Sequence, residues 1–490
     1  MRKPRRRRSK AIVILPIVFL LIAGAAFSFL MFSKELSRPK GVITYDSSLT
    51  DAEKALAEGA LTDFIPVNDV TISASLEDAA YIDKPGSYLV YQTLVPTTDF
   101  YSPVFDITSD ELEKYALTPV EELEPATKLL SLDGKYYLDD FKEGAKYRVI
   151  HFDSKTPDET KDKVAAKIEK TGLEKGSVLR FSQTGVTALT RRMLNKLTEV
   201  GSGAYFAEYV KDYLSASDLT HISNEVSFAS DCSIKDMTLC ADPRMFDAIS
   251  AIGTDIVELT GNHNNDWGKT ANIETIKLYH EKDIKTFGGG ETEEDAAKPL
   301  EISDKGNNIT LIGINNSTSS KANGQGADGN NPGANIYDEA LTKKQIKEAK
   351  DKGNFVIVDI QFAECYSYPD EGQEMPECDL PITGQQAFFR QLIDEGADMI
   401  IGTQAHQPQT YEIYQGKPIY YGLGNLFFDQ TYWPGTERSL VLTHYFKDGQ
   451  LLQTHILPTM YDTSYQPQFL DITAKQSYLE RLLSSSPKGA

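Results

Sequence analysis

Four short polar clusters, each following an apolar run, hold the residues of this chain that could do chemistry. Asn224 and Glu225 follow HIS; Asn262, His263 and Asp266 lie in GNHNNDWG after IVELT; Gln361 and Glu364 follow FVIVDI; Gln404 and His406 follow MIIG. A fifth polar point is Asn425, in GLGN. A histidine three residues from a carboxylate suits general acid–base chemistry, with Asp266 fixing the tautomer of the His263 imidazole. Each cluster also has a bland structural reading. Asn262 would stabilise a turn, Asp266 would cap the next helix, Gln404 and His406 would be satisfied polar groups, and GLGN would serve tight backbone packing. A single fragment favours that reading, whereas convergence of four loops favours a site.

Such loops need strands to carry them, and the sequence alternates strand and helix signals. VLRFSQTGV, ISNEVSF and Ile256 to Leu259 read as strands, with a short helix over Pro243 to Ile252 before the last. Helix Thr270 to Glu281, a Gly288-Gly289-Gly290 turn, strand ITLIGI, helix Leu341 to Lys350, strand FVIVDI, helix Gln385 to Glu395 and strand MIIG continue the pattern. The alternation predicts βαβ units and a buried, largely parallel sheet, with functional groups past the carboxyl ends of its strands. YEIYQGKPIYYGLGNLFF and SLVLTHYFKDGQLLQTHIL read as two hairpins, expected to form a second sheet packed on the first. Residues 175–465 are therefore expected to be one α/β domain, followed by a tail over 466–490. Ahead of it, 51–150 mixes an amphipathic DAEKALAEGAL with VTISASL and GSYLVYQTLVP, enough for a small α+β domain, and a polar helix over Thr156 to Lys170 bridges the two.

Charge and hydropathy bound the location. The formal net charge is −21, yet seven of the first ten residues are cations and none is acidic, so the rest of the chain is more acidic still. Such a body repels polyanions, which argues against nucleic acid as a partner. After the basic segment 1–10, residues 11–32 run 22 positions without a charge. That length crosses a hydrocarbon core of about 30 Å and exceeds the roughly 7–15 apolar residues of a signal peptide. The cations before it place the N-terminus in the cytoplasm, so a stalk over 33–50 should lead to an extracellular body on a single-pass membrane protein. Cys232 with Cys240, and Cys365 with Cys378, form two local pairs that would close small disulfide loops in that oxidising compartment.

The runs SNEVSF, IVELTGNHNNDWG, EGADMIIGTQAHQPQ and KPIYYGLGNLFFDQ resemble the poly-gamma-glutamate capsule biosynthesis (CapA) family over about Val178 to Leu457. The resemblance implies a four-layer metallophosphoesterase-like α/β sandwich. It also implies that Glu225 is a metal-bridging acid, Asn262 and His406 metal ligands, and His263 a histidine near the reacting group. Three expected ligands differ: Val186 stands for an aspartate, and Gln361 and Gln404 stand for histidines. Two ions about 3.5–4 Å apart need more anionic or imidazole donors than remain. Two states of the site stay open. One divalent ion of unspecified identity would sit on Glu225, Asn262 and His406, with Gln361 and Gln404 as carbonyl donors and Asn224, Glu364 and Asn425 in support; or a metal-free pocket would be worked by His263 and Asp266. The implied function is synthesis, export or anchoring of an extracellular polymer such as poly-gamma-glutamate, through hydrolysis or transfer. The alternative is a non-catalytic scaffold that binds polymer or partner. The partners implied are the cell membrane through residues 11–32, the polymer, and capsule-synthesis proteins.

Overall fold

The computed structural model describes residues 41–487 except 61–68, 84–87, 155, 157, 160, 163–172, 236, 318–319, 321 and 363–383. The apolar run over 11–32 lies outside the described residues, as do Glu364, Cys365, Cys378 and most of the bridging segment before residue 172. Among the described residues, no helix is long and apolar enough to cross a membrane. The chain divides into two compact units, Met1–Thr93 with Lys146–Thr171, and Leu94–Ala145 with Gly172–Ala490.

In the first unit, the alternating run VTISASL becomes strand Val70–Asp78, with Val70, Ile72 and Ala74 buried on one face as a period of two requires. It pairs in parallel with Ile43–Tyr45, within the segment read as a stalk, and antiparallel with Lys146–Phe152. Ile150 and Phe152 close a small core against Ile72 and Leu49.

The larger unit has the expected alternation, but its strands are divided between two mixed sheets. The first runs Lys285–Phe287, Ile256–Glu258, Leu219–Asn224, Leu179–Thr187, Arg438–Lys447, Gln450–Met460, Gln468–Phe469, with Asn425–Phe427 also pairing with Leu179–Thr187. The second runs Leu300–Asp304, Asn307–Asn315, Phe355–Gln361, Met399–Thr403, Lys417–Tyr420, Tyr411–Tyr414. The two C-terminal hairpins therefore build no sheet of their own: the earlier one extends the second sheet, and the later one pairs antiparallel with Leu179–Thr187 in the first. The chain leaves the first sheet at Gly288, whose φ of +72° is left-handed and where a Cβ would meet Thr260 Cγ2 at 2.6 Å and Gly313 Cα at 3.0 Å. Only glycine turns that corner without strain.

Three cores separate four layers in the order helix, sheet, sheet, helix. Ile222 and Val257 face an outer core with Met193, Leu197, Ala248 and Ile276 of the helices. Val356, Val358 and Ile360 face the other, with Ile346, Phe389 and Leu392. Between the sheets, Leu179, Phe181, Ile256, Ile357, Met399 and Ile401 interdigitate. Followed toward the carboxyl ends, these inter-sheet faces turn polar while staying buried: Gln183, His221, Ser223, Glu258, Asp359, Gln361 and Thr403. The end of the chain, read as a tail, holds helix Ile472–Ser484, N-capped by Asp471 and burying Leu479, Leu482 and Leu483 in the inter-sheet core.

Candidate functional site

A cleft of about 420 Å³ opens where the polar ends of the strands stop, and Arg191, Glu225, His263, His406, Phe428 and Trp433 line it. Glu225 is the first residue past strand Leu219–Asn224; its backbone N–H donates to Thr187 O at 3.0 Å, and the residue is 1% exposed. Asn224 turns the chain there, its Nδ2 donating to Val226 O at 2.6 Å. Gly261 begins the next loop against Glu225, where a Cβ would come within 2.7 Å of the Glu225 Cα. The loop can therefore lie on the carboxylate-bearing residue only because position 261 has no side chain.

His263 Nδ1 and Asp266 Oδ2 lie 2.7 Å apart. Asp266 is braced in turn by Leu239 N–H at 2.9 Å to Oδ2 and by Gln325 Nε2 at 2.8 Å to Oδ1. Burial pushes the His263 imidazole down, but its hydrogen bond and charge attraction to Asp266, together with Glu225, outweigh that and hold its pKa above the ordinary value. Such an imidazole can carry a proton and exchange it near neutral pH. Across the cleft, His406 Nδ1 meets Asn425 Oδ1 at 2.8 Å, and Asn425 Nδ2 donates to Thr436 O at 2.9 Å. Burial brings His406 down to about 4, so it is neutral at pH 7. On the cleft wall, the Arg191 guanidinium grips the Asp429 carboxylate, with Nε at 3.1 Å from Oδ1, and stacks over Phe428.

The remaining predicted donors face one another. Gln361 Nε2 donates to Asn262 Oδ1 at 3.1 Å and also to Gln404 Oε1. Gln404 holds this position with a φ of +73°, unusual for a residue with a side chain. Val186 is 1% exposed and packs in the outer core with Val226 and Leu426. Amides that satisfy one another, and a valine turned into a core, do not fit a two-ion centre. Cys232 and Cys240 are joined in a disulfide, Cα atoms 5.6 Å apart, beside Leu239.

Among the described residues, a different set meets the spacing of a metal site. His221, Glu258 and Asp359 are fully buried between the sheets, and their ligating atoms all lie within 4.8 Å of one another. Sequence reasoning passed over them because each stands alone in a strand. The available signal was one ionisable residue in the middle of each apolar run, as in LTHIS, IVELT and VIVDI. Burial raises the Glu258 and Asp359 carboxyls, the second further because Glu258 is near, and burial lowers His221 to about 3.

Comparison with known proteins adds to this geometry. The family described as bacterial capsule synthesis protein PGA_cap matches residues 180–430. The capsule biosynthesis protein CapA of Bacillus anthracis is 26% identical over 260 residues, 52% of this chain and 60% of that protein. The PGA biosynthesis protein CapA of Bacillus subtilis (strain 168) is 25% identical over 262 residues, 53% of this chain and 66% of that protein. The chain thus spans less than two thirds of the length of either relative. Among solved structures, the Haemophilus influenzae NAD nucleotidase NadN covers 63% of each chain at 10% identity with a TM-score of 0.31, a likeness that carries no argument on fold or activity.

Proposed function

Because the chain belongs to the bacterial capsule synthesis protein PGA_cap family, we propose that it acts at the outer face of the cell membrane in the synthesis, export or anchoring of a capsule polymer such as poly-gamma-glutamate. The capsule and PGA names of the two Bacillus relatives support the polymer. The cations of residues 1–10 ahead of the apolar run 11–32 support the membrane anchor and an extracellular body. A metallophosphoesterase-like ancestry of the sandwich is part of the same reading, supported by its four layers and by the strand-end placement of the cleft.

The observation that carries a chemical role is the His263–Asp266 pair at 2.7 Å, which opens with Glu225 and His406 on one cleft. Asp266 holds Nδ1 and leaves Nε2 to take or give a proton as an amide-like or phosphoester bond is hydrolysed or transferred. Glu225 orients the attacking group. A second reading, a scaffold that binds polymer or partner without chemistry, draws support from the mutual hydrogen bonds of Asn262, Gln361 and Gln404. Complementation of a gene-deleted capsulated strain separates them. His263→Ala, at wild-type protein level, should leave cells without surface polymer if the cleft is catalytic, whereas full polymer with that variant transfers the function to the scaffold. Unchanged polymer on deletion of the whole gene would reject the capsule role.

A further inference from the structure

We propose that His221, Glu258 and Asp359 form a second, wholly buried site for one divalent transition-metal ion of the zinc class, clamping the two sheets together. His221 and Glu258 come from adjacent strands of the first sheet, and Asp359 comes from the second. Each is 0% exposed, and their ligating atoms fall within 4.8 Å of one another. His221 Nε2 stands 3.4 Å from Asp359 Oδ2. Bonds of about 2.1 Å meeting at tetrahedral angles put ligand atoms about 3.4 Å apart, so one ion fits with small movements of the third ligand.

Hydrogen bonds satisfy the cluster only in part. Among the described residues, neither ring nitrogen of His221 has a hydrogen-bond partner, and neither does Glu258 Oε2. Among the described residues, no lysine or arginine pairs with either carboxylate, and the ion pair formed here is His221 with Asp359. Buried polar atoms are normally paired, and buried like charges are separated or neutralised. A dication meets both needs: it displaces the carboxyl protons, balances two carboxylates, and uses a neutral imidazole lone pair. Outer partners that would orient the ligands are in place, with Gln183 Nε2 3.3 Å from Asp359 Oδ2, and the Thr260 and Thr403 hydroxyls on Glu258 Oε1. One nitrogen with two carboxylates suits zinc better than magnesium or calcium, which take oxygen ligands and, for magnesium, retain waters. Apolar walls, including Phe181 and Phe287 beside the His221 ring, make exchange slow once the sheets have closed.

This site is independent of the cleft and stands whether or not the cleft is catalytic. The full chain, purified in detergent from zinc-supplemented cells and gel-filtered, should carry about one zinc per chain by mass spectrometry. Glu258→Gln and Asp359→Asn keep side-chain volume and should remove it, while Glu225→Gln in the cleft should leave it. Crystals of the unaltered chain should show an anomalous zinc peak between the three side chains, which keeps the test open if either variant fails to fold. No zinc in the unaltered chain, a peak only beside Glu225, or full zinc in folded Asp359→Asn would overturn the proposal.

Discussion

Gly261 and Glu225 approach so closely that a Cβ on the glycine would lie 2.7 Å from the Glu225 Cα, so two separate strand-end loops share one backbone contact. Gly261→Ala must push the loop carrying His263 away from Glu225. Overpacking of this kind costs about 1–3 kcal/mol, so a lower melting temperature is expected together with loss of surface polymer. Unchanged melting and polymer would mean that the loops have slack.

The Cys232–Cys240 disulfide should matter to the cleft more than to the fold. It closes a loop with a sequence separation of 8, and the neighbouring Leu239 N–H braces Asp266. Replacing both cysteines by serine should cost about 2–3 kcal/mol in denaturant unfolding. Hydrogen exchange should speed up at Leu239 while the central strands stay protected; uniform acceleration across both sheets would contradict a local role.

Arg191 and Asp429 form a nearly buried ion pair on the cleft wall, with side chains 19% and 5% exposed. Arg191→Met strands a buried carboxylate and should destabilise by about 3–5 kcal/mol, whereas Arg191→Met with Asp429→Leu should recover much of that loss. A double-mutant cycle showing additive losses would mean that the two groups are not coupled.

Stability should fall on acidification partly through His444. Burial, with His221 adding to it, holds this imidazole at about 3, and its Nδ1 meets Thr454 Oγ1 at 2.9 Å. The unfolded chain takes up a proton below about pH 6.5 that the folded chain refuses. The contribution is thus fully present above that pH and is lost as pH falls toward 3. His444→Gln should reduce the pH dependence of unfolding free energy by about 1.4 kcal/mol per unit in that window. Urea titrations at pH 7 and pH 5 read this as a smaller drop for the variant, and an equal drop would rule His444 out.

Much of the architecture was legible because it is written locally. FVIVDI and MIIG are continuous apolar runs of the kind that parallel strands need when both faces are buried, and both became strands. Which sheet a strand joins is not local. It depends on the corner at Gly288 and on Arg438–Lys447 finding Leu179–Thr187. The strand-end loops were equally readable, and the His263–Asp266 spacing brought those two side chains together. That Gln361 would turn to Gln404 just past the neighbouring strand and to Asn262 in a loop of the other sheet, or that His221, Glu258 and Asp359 would meet, depends on strand pairing and sheet-to-sheet stacking that no spacing in the chain encodes. The C-terminal helix was missed because its serines read as a tail, although Leu479, Leu482 and Leu483 already carried a helical period.

Leu179–Thr187 lies between Leu219–Asn224 and Arg438–Lys447, with Asn425–Phe427 pairing at its carboxyl end, so the strand that covers most of its second edge is encoded about 260 residues downstream. A ribosome adding about 5–20 residues per second needs roughly 13 to 50 seconds to deliver that partner. Until then the strand has an open edge beside Val178, Leu179 and Phe181. A chain in that state is a ready substrate for strand exchange with another copy, or for a chaperone that holds it. The later hairpin thus works as a latch on biogenesis: a chain stopped at residue 430, where the family match ends, would keep every cleft-lining residue but Trp433 and still not close.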